Sequence, residues 1–552
     1  MALDHRPPWL LSAALLGSIL LGSCGGHHRS GMTITEGPAL GASEPERGVP
    51  PHVAPRLDQA GLQQLDDFIV TTMIELDIPG LALGIVSGDD VVHLRGFGVS
   101  DDRSRPVTPD TPFLTASVTQ LITATAAMQL VEDGLLDLDA PVRRYLPWFT
   151  TASGDSARIT PRHLLNQQSG FSERVGLDNI FNGTTSETAL EDNVRRLKDV
   201  NLANPLGTYE YSNVNHDILG LIVQTLSNQS FEDYASANVL APLEMRHSHL
   251  EQDAARADGL ATGFYRWFGT PAPTAMPFSR SLVPSMMLMS TVEDLSHLLI
   301  AQLNGGSYAG ARVLTTDSMR EFQTPELYGL YSGTAMGWQV RPLWDAPIQL
   351  GSEEDALEYR IPTILENEGR YPTFGSYIAV VPEGRWGLVV LVNTNDLLTG
   401  REAFPYENVL RMVLGEEPQP LANTVPILAR NLRWVLTTVL MLLVAAAGLA
   451  GVRIRRWRSS PMGLPEGMGA FVRYVLFPTG VDLIVLYVLV FVLPARYDVS
   501  AVVALRGAPD VGVLVALIVL LTVGWGTTRT VLTLTTLYRK REGPGLTFRV
   551  AR

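Results

Sequence analysis

Lysine is almost missing from this chain of 552 residues: Lys198 and Lys540 are its only two, and arginine carries nearly all of the basic charge. An amine general base therefore has very few candidates. Cysteine is scarcer still. Cys24 stands alone, which excludes an internal disulfide and a cysteine-ligated metal centre. Positive charge is also in deficit. The formal net charge of −14 argues against a nucleic-acid partner. No metal and no cofactor is expected. The length is too great for one ordinary domain and suits one large domain with extensions.

The ends of the chain read as membrane-directed. Residues 1–23 resemble a bacterial lipoprotein-type export signal, with His5 and Arg6 before the apolar run Trp9 to Leu21. Leu21-Gly-Ser-Cys24 resembles a lipobox, which makes Cys24 the expected lipidation site. Residues 24–56 are rich in Gly, Pro, Ser and His without an apolar period, as in a flexible tether, and His27-His28 is read as solvated there. At the other end, a linker over 416–433 leads to three expected membrane spans at about 434–452, 474–493 and 511–528. The second span contains Pro478, an expected bend, and Asp482, for which Arg473 and Arg529 are candidate partners. Arg453, Arg455, Arg456 and Arg458 follow the first span, and Arg539, Lys540 and Arg541 begin a tail over 539–552. The positive-inside rule puts both clusters in the cytoplasm and the large domain outside it.

That domain is expected over 57–415. Leu62, Leu65, Phe68, Ile69, Met73 and Ile74 recur at helical spacing and predict an amphipathic first helix. Leu81 to Val86 and Val91 to Phe97 flank Ser87-Gly-Asp-Asp90 as a hairpin, with His93 read as a strand-surface residue. The fold class is α+β. The organising stretch runs from Thr115 to Pro141. Small and apolar residues from Ala116 to Val131, without Pro or Gly, predict a buried helix stopped by Gly134. Ser117 sits at its start, and Gln120, three residues on, shares its face. A serine before a helix is ordinarily no more than an N-cap.

Leu130-Val-Glu-Asp-Gly-Leu-Leu-Asp-Leu-Asp-Ala-Pro-Val-Arg-Arg-Tyr-Leu-Pro147, with the Ser117 stretch before it, resembles the class C β-lactamase-like and penicillin-binding-protein-like serine hydrolases. The resemblance implies a β-lactamase/transpeptidase-like fold, an antiparallel sheet beside a helical region with the cleft between. It also implies that Ser117 is the nucleophile of a Ser-x-x-Lys element whose lysine position holds Gln120. Tyr211-Ser-Asn213, after Pro205-Leu-Gly-Thr208 and before an apolar helix, resembles the Tyr-x-Asn element. There Tyr211 would face the nucleophile and Asn213 would hold a substrate carbonyl. His216 is read as packing. Ile159 to Phe171 resembles the helix leading to a Ser-Gly turn, with Gln167 where relatives carry a structural His. Pro284 to Leu299 resembles a further segment, with Met286 and Met287 read as core, and Gly337-Trp338 resembles a strand start. The third catalytic element, Lys-x-Gly or His-x-Gly, aligns on Asn367-Glu-Gly369, with Asn367 in the cationic position and Gly369 kept; Arg370 is the nearest cation in sequence. Ser376 to Val381 and Trp386 to Asn393 follow as a hairpin.

An acyl-enzyme needs a serine that can lose its proton. Gln120 has no useful basicity. A phenol with a reference pKa near 10 is only about 0.1% ionised at neutral pH, and Lys198 lies outside every motif. General-base assistance contributes roughly 10²- to 10⁴-fold. The expectation is a membrane-tethered extracytoplasmic serine hydrolase homologue with an impaired centre and weak ester or amide hydrolysis at most. Ser117, Tyr211 and Gln120 are its catalytic set; Asn213, Asn367 and Gly369 line its substrate site. Two rivals remain: a pseudoenzyme binding a small molecule, a peptide, a cell-wall fragment or a protein partner, and a sensor domain for the membrane segment.

Overall fold

The computed structural model describes residues 54–177, 179–275, 277–328, 332–343, 362–395, 404–420, 427–459, 468–492 and 501–541. The export signal, Cys24 and the tether up to Val53 lie outside them. The described residues fall into two compact units.

The larger unit is built on an antiparallel sheet. In chain order its strands are β1 (Gly80–Ser87), β2 (Asp90–Gly98), β3 (Glu326–Leu327), β4 (Gly333–Ala335), β5 (Trp338–Pro342), β6 (Thr363–Tyr371), β7 (Phe374–Val381) and β8 (Trp386–Val392). Their order across the sheet is β2-β1-β8-β7-β6-β5-β4-β3. The first hairpin thus pairs with the last, Leu81 opposite Val392. Successive side chains point to opposite faces. Leu83, Ile85, Leu388 and Val390 join the core under helix α1 (Gln59–Glu75) and helix α6 (Tyr406–Val413), whereas Ala82, Val86, Val389 and Leu391 face the helical region. Both faces are covered, so the middle strands read as unbroken apolar runs rather than as alternating ones.

Asp58 caps α1 by accepting the Gly61 N–H at 2.8 Å. The buried stripe is narrower than the sequence suggested: Leu65, Ile69 and Met73 are inside, but Ile74 is exposed. His93 departs from expectation as well. It is not a free surface residue, because its Nε2 lies 3.0 Å from the buried Asp66 carboxylate, which Arg95 also contacts. A carboxylate facing the sheet requires such partners.

The helical region carries α2 (Thr119–Glu132), α3 (Pro161–Leu165), α4 (Val214–Ser227) and α5 (Val292–Leu303). Helix α2 is buried on nearly all sides, as its composition predicts. Its threonines are satisfied locally or by neighbours: Thr125 donates to the Leu121 carbonyl at 2.8 Å and Thr123 to that of Pro284. Met286 and Met287 are core residues, as expected. The unit also includes residues 501–510, which fall between the second and third expected spans. Tyr265 Oη donates to the Arg506 carbonyl at 2.8 Å, and the Phe268 N–H to Asp510 at 2.9 Å.

The smaller unit holds the apolar helix α8 (Phe477–Tyr487) and most of two long ones, α7 (Ile427–Ser459) from residue 431 on and α9 (Pro509–Arg541) from residue 511 on. Leu432–Arg456 and Pro509–Thr535 are long and apolar enough to cross a membrane. The expected middle span is represented by the shorter apolar stretch Phe477–Val492. Pro478 does not break the helix. A π-helical segment, Val472–Leu476, precedes it and absorbs the backbone mismatch. Asp482 pairs with Arg529 at 2.7 Å, the second of its two candidate partners.

Candidate active site

Ser117 lies in the single 3₁₀ turn Ala116–Val118 that opens α2. The residue before it, Ala116, has φ of 47°, a left-handed conformation that a non-glycine residue keeps only under constraint. The constraints are visible. Thr119 Oγ1 donates to the Ala116 carbonyl at 2.6 Å, and Ser376 Oγ donates to the Thr115 carbonyl at 2.6 Å. Gly369 closes the same spot from β6. A Cβ there would stand 2.1 Å from the Thr115 carbonyl oxygen and 2.2 Å from Ser376 Oγ. The third motif's glycine is thus required by the close approach of β6 to the nucleophile turn.

Tyr211 Oη donates to Ser117 Oγ at 2.6 Å. Gln120 Nε2, one turn along α2, donates to Tyr211 Oη at 2.7 Å and to Asn213 Oδ1 at 3.1 Å. Gln167 completes the net. Its Nε2 donates to Gln120 Oε1 at 3.3 Å, and its Oε1 accepts from the Ser212 N–H at 2.9 Å and from Asn215 Nδ2. Every member is uncharged, and Gln120, Gln167 and Asn213 are buried. The expected catalytic set and Asn213 therefore meet at one point. Among the described residues, Tyr211 is the hydrogen-bonding partner of Ser117 Oγ; no amine, imidazole or carboxylate bonds to it.

Burial holds the Tyr211 phenol well above its ordinary range. The Ser117 and Gln120 hydrogen bonds and the charge of Arg370 act against this, and the charge of Glu173 acts with it. Arg370 is not a spare cation, since its Nε and Nη2 grip the two oxygens of Glu368, each at 2.8 Å. Lys198 pairs with Asp199 at the exposed surface. His216, on α4, is fully buried, and neither ring nitrogen has a partner among the described residues. Burial pushes it down to about 3, so it is neutral, as its packing role requires.

The β5–β6 ladder ends at Gln339 opposite Glu366, and Asn367 begins the part of β6 that lines the cleft. Asn367 Nδ2 donates to the Gly337 carbonyl at 2.7 Å. Gly337 itself has φ of 102°, and the Met336 N–H before it is held by Asn166 Oδ1 at 3.0 Å. The cleft wall continues through Tyr209, which stacks on Tyr328 with ring centroids 4.4 Å apart.

Sequence reading named Ser117, Tyr211, Gln120, Asn213, Asn367 and Gly369; the structure joins the first four by hydrogen bonds, sets Gln120, Tyr211 and Asn367 on the cleft wall, and puts Gly369 against the turn that carries Ser117. It missed the bridging part of Gln167, which it took as a tolerable replacement of a structural residue. The available signal was a run of three amides, Asn166 to Gln168, between the end of α3 and the Ser169-Gly170 turn. It also missed the Glu368 clamp on Arg370, whose signal was their i, i+2 spacing on one strand face.

Three comparisons bear on this arrangement. A family model described as Beta-lactamase matches residues 65–408. Protein flp of Staphylococcus aureus (strain MW2) is 29% identical over 350 residues, which take in 62% of this chain and 64% of that protein, so the chain spans less than two thirds of that relative. Penicillin-binding protein 4 of Amycolatopsis lactamdurans is 32% identical over 297 residues, 51% of this chain and 74% of that one. Among solved structures, the octameric penicillin-binding protein homologue from Pyrococcus abyssi superposes with a TM-score of 0.54 at 24% identity, covering 67% of this chain and 80% of that one. A class C beta-lactamase gives 0.54 at 21% identity, covering 66% and 99%. These structural likenesses speak to the fold.

Proposed function

The chain belongs to the β-lactamase family of serine hydrolases, and we propose that its large domain is a Ser117 acyl-transfer site with an uncharged, and therefore slow, proton relay. The carrying observation is the hydrogen bond from Tyr211 Oη to Ser117 Oγ. In the proposed step, Ser117 Oγ bonds to an ester or amide carbonyl carbon. Tyr211 must first give its own proton to solvent water, and the Ser117 proton then passes to the Tyr211 oxygen. That proton then goes to the departing alcohol or amine, and water later cleaves the acyl-serine. The Ser117 N–H, in the 3₁₀ turn that opens α2, is the backbone donor proposed to stabilise the oxyanion. Among the described residues no cation bonds to Tyr211 Oη, and Arg370, whose charge favours the phenolate, is held by Glu368. Gln120 stabilises a phenolate only as a neutral donor, which is weaker than an ammonium at the same distance.

The neutral, fully hydrogen-bonded net also favours a second reading, a pseudoenzyme that binds without turnover, because its ground state is already satisfied. Reaction with a fluorescent fluorophosphonate, with Ser117→Ala as control, separates the two. Label that vanishes with Ser117→Ala supports the acyl-transfer reading. No label, with ligand-induced thermal stabilisation, supports binding alone.

The proposed setting is the outer face of a bacterial membrane. The spans Leu432–Arg456 and Pro509–Thr535 supply the anchors, and the basic clusters that follow them supply the orientation. Residues 501–510, which belong to the large unit, then lie on the outer side with it.

A further inference from the structure

We propose that the Ser117 cleft selects a ligand that presents a hydrogen-bond donor, an amide or a hydroxyl, to Asn367, and discriminates against a ligand that presents a carboxylate there. The inference deepens the acyl-transfer reading by naming the substrate class. Asn367 is buried in the cleft wall, and its Oδ1 has no hydrogen-bond partner among the described residues. The orientation of this amide is fixed by chemistry. Its Nδ2 meets the Gly337 carbonyl at 2.7 Å, and turning it over would set acceptor against acceptor. The unmet group is therefore an acceptor. A buried acceptor without a partner costs free energy that an incoming N–H or O–H recovers.

The charges around the cleft point the same way. Glu368 lines it, and the field of Glu173 reaches Tyr211. Arg370, the cation near both, is already clamped by Glu368. Gln120, Gln167, Gln339 and Thr334 add no charge. A carboxylate entering here would meet an acceptor and a carboxylate and, among the described residues that line the cleft, no cation. An amide or alcohol would meet the acceptor it needs.

The test uses a matched pair, N-benzoylglycinamide and N-benzoylglycine, titrated calorimetrically into the full chain in detergent at neutral pH. The expected result is that the amide binds at least about tenfold more tightly than the carboxylate. Asn367→Lys reverses the order. Glu368→Gln, at a partly exposed position, releases Arg370 and strengthens carboxylate binding by about tenfold. Equal or tighter binding of the carboxylate by the unaltered chain overturns the inference, as does a failure of both compounds to bind. Ser117→Ala keeps the selectivity, so loss of acylation and loss of selectivity are read separately.

Discussion

Tyr211 Oη lies 2.6 Å from Ser117 Oγ and 3.0 Å from Asn213 Oδ1, so the proton that the phenol still owns has two acceptors within reach. The geometry for transfer is in place, but Tyr211 cannot take the Ser117 proton while it keeps its own. Reaction waits for the phenol to ionise, and burial makes that rare.

Tyr211→Phe removes the hydroxyl that is hydrogen-bonded to Ser117 Oγ. Fluorophosphonate labelling of Ser117 should fall by about tenfold or more, while thermal stability changes little because the ring is kept. An unchanged rate would show that Ser117 reacts without this partner.

The raised Tyr211 ionisation has a pH signature. Below the phenol's pKa the phenolate fraction rises about tenfold per pH unit. Ser117-dependent labelling should climb steadily through the alkaline range instead of levelling near neutrality. Gln120→Lys, which sets a cation beside Tyr211 Oη, should move the rise to lower pH. A plateau near pH 7 in the unaltered chain would point to a different base.

Gly369→Ala puts a methyl group against the Thr115 carbonyl and Ser376 Oγ. The turn carrying Ser117 must then shift. We expect a stability loss of about 1–3 kcal/mol with a larger proportional loss of labelling, measured by denaturant unfolding and labelling rate.

Asp217, fully buried on α4, accepts from Asn193 Nδ2 at 3.0 Å, and burial pushes it up to about 7 from 3.8. Between these values the folded chain holds the extra proton. Stability is therefore greatest below the unfolded pKa and falls as pH rises through the folded one, by up to about 1.4 kcal/mol per pH unit. Asp217→Asn keeps the acceptor without the charge. It should remove that slope in unfolding curves taken from pH 4 to 8. A retained slope would place the titration elsewhere.

Much of this was legible in the sequence for physical reasons. Helix α2 announces itself because burial on all sides demands small apolar residues throughout. Tyr211 and Asn213 stand out because a short polar triplet precedes an apolar helix. Strand order was not legible: β1 and β8 are joined by packing between residues some three hundred positions apart, and no local pattern records it. Nor was the left-handed turn at Ala116, since alanine carries no signal for positive φ and tertiary contacts impose it. The partnership of His93 with Asp66 was hidden for a like reason. Alternation reports the face of a strand and says nothing of a carboxylate arriving from α1. The membrane end was read by composition alone, so two stretches emerged as expected while the middle one proved shorter.

The most direct measurement is the rate of Ser117 labelling by a fluorophosphonate, followed by intact-protein mass spectrometry, in the unaltered chain and in Gln120→Lys combined with Asn367→His. The account predicts one slow adduct, lost in Ser117→Ala, and a gain of about 10²-fold in the double variant. Rapid labelling of the unaltered chain with no gain from the restored charges would contradict it.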